Sequence, residues 1–385
     1  MTAQSLTQAA AVAHATTKTP HVVIAGGGTG GHVNPALAIA DAFVQAHPGA
    51  QVLFIGTAKG LEARLVPARG YRIEMVEGSR LVGAGMLGKL RGLLALFHGV
   101  RQARRLLREE AAHLVIGVGG YASGAALLAA KTMGVHTAVH ESNAVPGMTN
   151  KVLGKLVDRV YLGFAAAGSA FPQAKVRVTG NPVRGEIAAV ERAATPTEDH
   201  VRKVLVVGGS QGALFLNQQV PKLLGALSLA AQAEGVTLQV RHQVGKLEAA
   251  PVEAAYLAAG VSAEVVTYID DMAAALAWAD FGVTRSGSGT VSELAAAGLP
   301  ALLVPFPYAA GDHQAANAAA FCASGGGFWS RQKDWNREKL AQQIASVLTD
   351  NTALKRASEG ARQVARPDAA AAVVADCEAL LEGCW

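Results

Sequence analysis

Two doubly wound α/β domains in tandem are the fold this sequence predicts, and three observations carry the prediction. Short β-branched runs alternate with helical patterns. The alternation occurs twice, on either side of a charged stretch. Each series opens with a strand that feeds a glycine-rich turn. Continuous apolar runs mark strands buried on both faces, as in parallel sheets covered by helices. The first series comprises Val22–Ala25, Val52–Ile55, Leu114–Val118, Thr137–Val139 and Val160–Leu162. The second comprises Val204–Val207, Leu238–Val240, Val265–Val266, Phe281–Val283 and Ala301–Val304. The boundaries follow: a polar disordered extension over 1–20, a first domain over 21–183, a linker over 184–200 containing Thr195-Pro196-Thr197, and a second domain over 201–365.

A chain of 385 residues suits two domains better than one core. The start has neither a basic segment nor an apolar one, so no signal peptide is expected. The uncharged stretches Ala111–Ala130 and Leu294–Gly311 are broken by glycines and prolines respectively, which excludes transmembrane helices. Cys322, Cys377 and Cys384 are odd in number and lack metal-ligand spacing, which suits a reducing cytoplasm. Charge is unevenly divided: net +10 over 1–183 and net −5 over 184–385. That asymmetry points the first half toward an anionic surface or partner. No recognised nucleic-acid motif accompanies it, so no nucleic-acid partner is expected.

Three turns could carry chemistry. In the first, Val22-Val23-Ile24 runs into Ala25-Gly26-Gly27-Gly28-Thr29-Gly30-Gly31-His32, then an apolar helix. So little Cβ lets a phosphate or sugar approach bare backbone, with helix N–H groups aimed at negative charge. The spacing Gly26-x-Gly28-x-x-Gly31 also fits a dinucleotide fingerprint. His32, in the first turn of that helix, is a general-base candidate, or else a residue that hydrogen-bonds its loop or the substrate. The second turn is Gly208-Gly209-Ser210-Gln211-Gly212, and the third Arg285-Ser286-Gly287-Ser288-Gly289-Thr290-Val291-Ser292-Glu293. Hydroxyls and free N–H groups there could hold a diphosphate, and a carboxylate slightly further in could hold a ribose diol. Asp270-Asp271 before Met272 reads as an N-cap. No Asp-x-Asp pair and no His/Cys/Asp set at metal spacing occurs, so a metal-free mechanism without cofactor is expected.

Eight segments then occur in order: Gly-Gly-Gly-Thr-Gly-Gly-His (26–32), Gly-Gly-Tyr-Ala-Ser-Gly (119–124), His-Glu-Ser-Asn (140–143), Pro-Gly-Met-Thr-Asn-Lys (146–151), Asn-Pro-Val-Arg (181–184), Gly-Gly-Ser-Gln-Gly-Ala (208–213), Ile-Asp-Asp-Met-Ala (269–273) and the third turn above. Together they resemble the MurG family of bacterial peptidoglycan glycosyltransferases over about residues 21–365. The resemblance implies a GT-B fold and inverting transfer of N-acetylglucosamine from UDP-N-acetylglucosamine to undecaprenyl-diphosphate-linked muramoyl-pentapeptide (lipid I, giving lipid II). It implies that Ser210, Gln211, Arg184 and the backbone of Ile269 meet the uridine diphosphate. Ser288, Gly289, Thr290, Val291 and Ser292 would line the diphosphate and sugar, Glu293 the ribose, and Gln314 the sugar hydroxyls. Thr29, Gly30, Gly31 and Asn143 would close the donor site from the first domain, while Gly28, Gly119, Gly120 and Tyr121 would face the acceptor. His32 is the first candidate for the base and Glu141 the second. The C-terminal helix, about 366–385, is expected to pack back on the first domain. Two positions depart from the family pattern: Ser142 stands where Gln is usual, and Ser288-Gly289 where Ala-Leu or Ala-Met is more frequent.

Arg80–Arg108 holds seven Lys/Arg and no acid, interleaved with leucines. Such a segment rests on an anionic membrane face without crossing it. Leu87, Leu90, Leu93, Leu94 and Phe97 are the expected apolar contacts, and Arg101, Arg104 and Arg105 the basic ones. For the resembled family this places the chain at the cytoplasmic face of the inner membrane, with other cell-wall and division proteins as partners. The rival of a nicotinamide-dependent oxidoreductase needs an acid at the end of the second strand, and Phe54–Gly60 offers none before Glu62. Another GT-B enzyme (a nucleotide-sugar epimerase or a lipid glycosyltransferase) and a non-catalytic nucleotide-sugar sensor are the remaining alternatives.

Overall fold

The computed structural model describes residues 19–58, 60–76, 86–192, 200–209 and 213–382, with residues 86–91 and 93 described by their backbone alone. Among them, β1 (His21–Gly26), β2 (Gln51–Gly56), β3 (Arg72–Met75), β4 (Leu114–Gly119), β5 (His136–Glu141), β6 (Arg159–Leu162) and β7 (Val176–Arg177) form the first sheet, in the order 3-2-1-4-5-6-7. The second sheet contains β8 (Val201–Val207), β9 (Thr237–Gln243), β10 (Ser262–Val266), β11 (Phe281–Thr284), β12 (Ala301–Leu303) and β13 (Gly327–Trp329), in the order 10-9-8-11-12-13. Every pairing is parallel. Each sheet has two apolar cores, one per face, which is why its central strands read as unbroken apolar runs. All ten sequence-predicted runs are strands. The unforeseen β3, β7 and β13 all lie at or beside a sheet edge, where only one face or one neighbour constrains composition.

In both sheets the strand order reverses beside the first strand, between β1 and β4 and between β8 and β11. Ligands of doubly wound sheets bind outside the strand C-termini at such switch points. The glycine-rich turns lie at these points: Gly26–Thr29 after β1, Gly119-Gly120 at β4, Gly208-Gly209 after β8 and Arg285–Gly287 after β11.

One stretch differs from expectation. The proposed linker is partly ordered into the second unit: Gly185–Ala188 is helical, and Ile187 is fully buried in a core of the second sheet. The Arg192 guanidinium donates to Ala279 O and to Gly298 O, which ties the end of that stretch to the same unit. Apolar burial and carbonyl acceptors, invisible in a charged composition, order this segment. The extension over 1–18 and residues 193–199 lie outside the described residues. At the other end, the helix Ala369–Leu381 buries Val373, Val374, Cys377 and Leu381 against the first sheet and the helix Gly30–Ala46. Asp376 on its flank pairs with both Arg159 and Arg177 and accepts from Tyr161 Oη.

Candidate active site in the cleft between the two sheets

The first wall is nearly all backbone. Gly26, Gly27 and Gly28 have φ of +131°, +148° and +92°, conformations that L side chains rarely adopt. A Cβ on Gly26 would run into the Gly119 carbonyl, so the ends of β1 and β4 meet without side chains, and Gly27 N–H donates to Gly119 O at 3.2 Å. Gly28 and Thr29 are exposed, and nothing stands within 4 Å of the Cβ positions of Gly28 or Gly30. The helix Gly30–Ala46 starts there with Thr29 as N-cap. His32 Nδ1 lies 3.0 Å from Gly27 O. A carbonyl only accepts, so Nδ1 carries a proton, and in the neutral imidazole Nε2 is the nitrogen with the lone pair. A Cβ on Gly119 would stand 3.1 Å from Nε2; the glycine there keeps that nitrogen uncovered. Gly120, at φ +86°, continues the wall into the helix Tyr121–Met133.

The loop after β5 contributes polar groups already engaged. Glu141 is buried, and its Oε1 accepts from the Asn143 N–H (2.9 Å) and Asn143 Nδ2 (3.2 Å). Its Oε2 accepts from Gly147 N–H (3.0 Å) and Asn150 Nδ2 (2.9 Å). All four donors come from the loop itself or from the start of the helix Met148–Leu153 that follows it. Burial pushes neighbouring His140 down to a pKa of about 4 and so keeps it neutral.

The second wall is rich in side chains. The helix Ser288–Ala297 starts behind the N-cap Gly287, with Ser288 and Val291 buried, Thr290 part-buried and open space at Gly289. Arg285 lies just before it, and its guanidinium donates to Val304 O and Pro305 O at 3.1 Å. Glu293 lies 3.5 Å from Arg184, which also approaches Glu186 at 3.6 Å. Burial pushes the Glu293 carboxyl above its ordinary range, against the opposing pull of Arg184. Gln314 spends its Oε1 on Phe306 N–H at 2.9 Å, which leaves its amide donors for a ligand. The Ile269 N–H is taken by Gln243 Oε1 at 3.0 Å, so its carbonyl is the backbone group it can offer directly. Asp271 caps the helix Met272–Trp278, accepting from Ala274 N–H at 2.8 Å. Ser210 and Gln211 lie outside the described residues. No group of three or more His, Cys, Asp or Glu among the described residues is arranged as metal ligands.

The two walls meet at the floor of the cleft. A Cβ on Gly31 would stand 3.4 Å from Ser288 Oγ, so the two helix N-termini face each other. Buried Asn317 accepts from Ala144 N–H (2.8 Å) and donates to Asn143 Oδ1 and Ser286 O, both at 3.2 Å. Asn181 donates to Ser142 O (2.8 Å) and Ser292 Oγ (3.1 Å). The bridging role of Asn317, the Gln243 contact and the placement of Glu62 beneath the first loop escape the sequence reading. Each depends on partners far away in the chain.

The basic helix spans Met86–Glu109 and packs Ala103 and Leu107 into the core, with Leu94 and Phe97 exposed. Arg101 lies over the Phe97 ring, Arg104 donates to Thr132 Oγ1, and Arg105 pairs with Glu109. The side chains of Leu87, Leu90 and Leu93 lie outside the described residues. Among the described residues no helix is long and apolar enough to cross a membrane.

Comparison with known proteins agrees with the fold and gives the family. The glycosyltransferase family 28 N-terminal domain matches residues 22–162, and the family 28 C-terminal domain matches 203–373. A UDP-N-acetylglucosamine–N-acetylmuramyl-(pentapeptide) pyrophosphoryl-undecaprenol N-acetylglucosamine transferase from Geobacter sp. (strain M21) is 42% identical over 356 residues, covering 92% of this chain and 94% of its own. The transferase of the same description from Shewanella loihica is 42% identical over 362 residues, with coverage of 93% and 96%. The crystal structure of Acinetobacter baumannii MurG superposes with a TM-score of 0.75 at 33% identity, over 92% of this chain and 98% of that one. The calicheamicin glycosyltransferase CalG4, at 16% identity and a TM-score of 0.64, shares the fold alone. The chain therefore belongs to glycosyltransferase family 28 and, within it, to the UDP-N-acetylglucosamine–N-acetylmuramyl-(pentapeptide) pyrophosphoryl-undecaprenol N-acetylglucosamine transferases.

Proposed function

We propose that the chain transfers N-acetylglucosamine from UDP-N-acetylglucosamine to the muramoyl 4-hydroxyl of the undecaprenyl-diphosphate-linked pentapeptide acceptor. The observation that carries this reading is the facing pair of helix N-termini at Gly31 and Ser288, one wall bare and the other lined with side chains. The hydroxyl attacks the anomeric carbon in line with the departing UDP, and the configuration inverts. Charge developing on the diphosphate meets the N–H groups at the start of Ser288–Ala297 and the hydroxyls of Ser288 and Thr290. Arg184 and Glu293 hold the nucleoside side, and Gln314 donates to the sugar. His32, with Nε2 free, takes the hydroxyl proton. Glu141, with four donors on its carboxylate, holds the loop after β5 in place. The exposed turn at Gly28-Thr29 receives the acceptor diphosphate.

The enzyme works at a membrane whose lipid carries its acceptor, docking through Met86–Glu109. A second apolar stripe supports this surface: Met148, Val152 and Leu156 recur at four-residue spacing and are all exposed, with Lys151 and Lys155 between them. The face is the cytoplasmic one of the inner membrane, where a nucleotide sugar is available. Reversing Arg101, Arg104 and Arg105 together should release the chain from anionic vesicles in sedimentation; unchanged pelleting rules this docking out.

A transfer assay with labelled UDP-N-acetylglucosamine and a short-chain acceptor analogue tests the activity. A β-linked disaccharide product is expected. Donor binding without product would leave a sensor, and epimerised free nucleotide sugar would mark an epimerase.

A further inference from the structure

The carboxylate of Glu62 holds the first wall from behind, at Gly28, and a dedicated pocket surrounds it. Glu62 opens the helix Glu62–Ala68 and is 2% exposed. Three glycines make room for it: a Cβ on Gly27, Gly56 or Gly60 would run into its side chain. Its Oε1 accepts the N–H and the hydroxyl of Thr57, both at 3.0 Å. Its Oε2 accepts the Gly28 N–H at 2.6 Å. That N–H belongs to the same peptide unit as the Gly27 carbonyl, which accepts from His32 Nδ1 at 3.0 Å. In a trans peptide the two groups point to opposite sides, so Glu62 and His32 bracket one amide plane.

We infer that Glu62 is a positioning residue for the transfer reaction, acting on His32 through the Gly27–Gly28 peptide; the inference rests on the reading of His32 as the base. A carboxylate on the N–H polarises the amide and raises the electron density on its carbonyl oxygen. That oxygen grips the Nδ1 proton more firmly, which keeps Nε2 as the free lone pair. It also stabilises the imidazolium that forms when Nε2 takes the acceptor proton. In Ser-His-Asp sets a carboxylate bonded directly to the imidazole does the same work. Here one peptide unit is interposed, and the site gives a reason. A carboxylate at His32 itself would set a negative charge against the acceptor diphosphate, whereas Glu62 is buried behind the loop. His140, an ionisable group that interacts with His32, is neutral through burial and does not oppose the imidazolium.

The test measures kcat against pH for the full chain with labelled UDP-N-acetylglucosamine and a soluble short-chain acceptor analogue. It compares wild type, Glu62→Gln, His32→Gln and the double variant, with donor calorimetry on each as the control for folding. Glu62→Gln should lower plateau kcat ~10-fold while moving the acidic limb of the profile to lower pH, with donor affinity unchanged. In the His32→Gln background the same change should alter kcat by less than about twofold, because its route is already cut. If Glu62→Gln loses donor binding through misfolding, Thr57→Ala carries the comparison. It keeps the carboxylate but frees it of one donor, so the limb should move the opposite way. An unmoved limb, or a Glu62→Gln loss undiminished on top of His32→Gln, overturns the relay and leaves Glu62 a loop anchor. Near-normal turnover by His32→Gln instead overturns the base assignment, whatever Glu62→Gln does.

Discussion

The two switch points share a strand order yet are furnished in opposite ways. At β1 and β4 the chain removes side chains: Gly26, Gly27, Gly28, Gly119 and Gly120 all sit at positive φ, and the nearest carboxylate is sunk behind them. At the second switch point β11 adds them, with Arg285, Ser286, Ser288 and Thr290 at its end and the Arg184–Glu293 pair alongside. In the proposed reading the bare wall admits a bulky diphosphate from many directions, while the furnished wall reads a particular nucleoside and sugar. Net charges of +10 on residues 1–183 and −5 on the remainder run parallel to this division. One topology thus carries two differently furnished ends, because loop composition, not strand order, sets what each end can hold.

The comparison breaks most sharply at glycine. Gly26→Ala sets a Cβ against the Gly119 carbonyl at φ +131° and should destabilise the first unit by more than about 3 kcal/mol in urea unfolding. Gly289→Ala, in open helical space, should leave unfolding intact and raise only the donor KM. Equal destabilisation by both would show that the two walls are built alike.

Acid should strike both units together. Burial lowers His140 on β5 and His242 on β9 from the ordinary 6.5 to about 4. Each folded pKa lies below the unfolded one, so the unfolded chain binds more protons in between. The stability contribution is complete above about pH 6.5 and is lost as pH falls toward 4, roughly 3 kcal/mol per histidine. Hydrogen exchange at pH 7 and pH 4.5 should show both sheets losing protection, and softening of one sheet alone would refute the symmetry.

A smaller effect is expected at the seam. Asn317→Ala strands the Ala144 N–H and the Ser286 carbonyl and should cost about 1–3 kcal/mol. Because the lost bonds join the two walls, unfolding should separate into two transitions; a single sharp transition would mean that other contacts couple the units. Smallest is Arg101→Ala, which should weaken partitioning onto anionic vesicles about fivefold, or about 1 kcal/mol, and less at high salt. Salt-independent binding would move the docking surface elsewhere.

Legibility in the sequence followed the range of the interactions. Val204–Val207 and Leu114–Val118 announce themselves as strands because burial on both faces demands apolar residues throughout. β3, with Arg72 and Glu74 exposed, gives no such signal. The glycine turns were visible because positive φ selects glycine locally. The Glu62–Gly28 bond spans 34 residues and the Asn317–Ala144 bond 173, and no local pattern encodes either. Glu141 shows the same limit from the other side. A carboxylate in a strand-end loop suggests a base, but its four donors, one of them from Asn150 on the following helix, become known only once that loop is folded.

By itself the amino-acid order determined the paired α/β architecture, three of the four switch-point turns, the uneven charge and the amphipathic basic helix. These are properties of short windows, where side-chain chemistry alone dictates conformation or burial. Tertiary structure decided which groups remain free to act. It committed Glu141 and the Ile269 N–H to internal partners, released His32 Nε2 beside Gly119, and set Glu62 behind the peptide that His32 holds. Whether a polar group is spent or available depends on what the fold brings within about 3 Å, and that distance is set by packing between segments far apart in the chain.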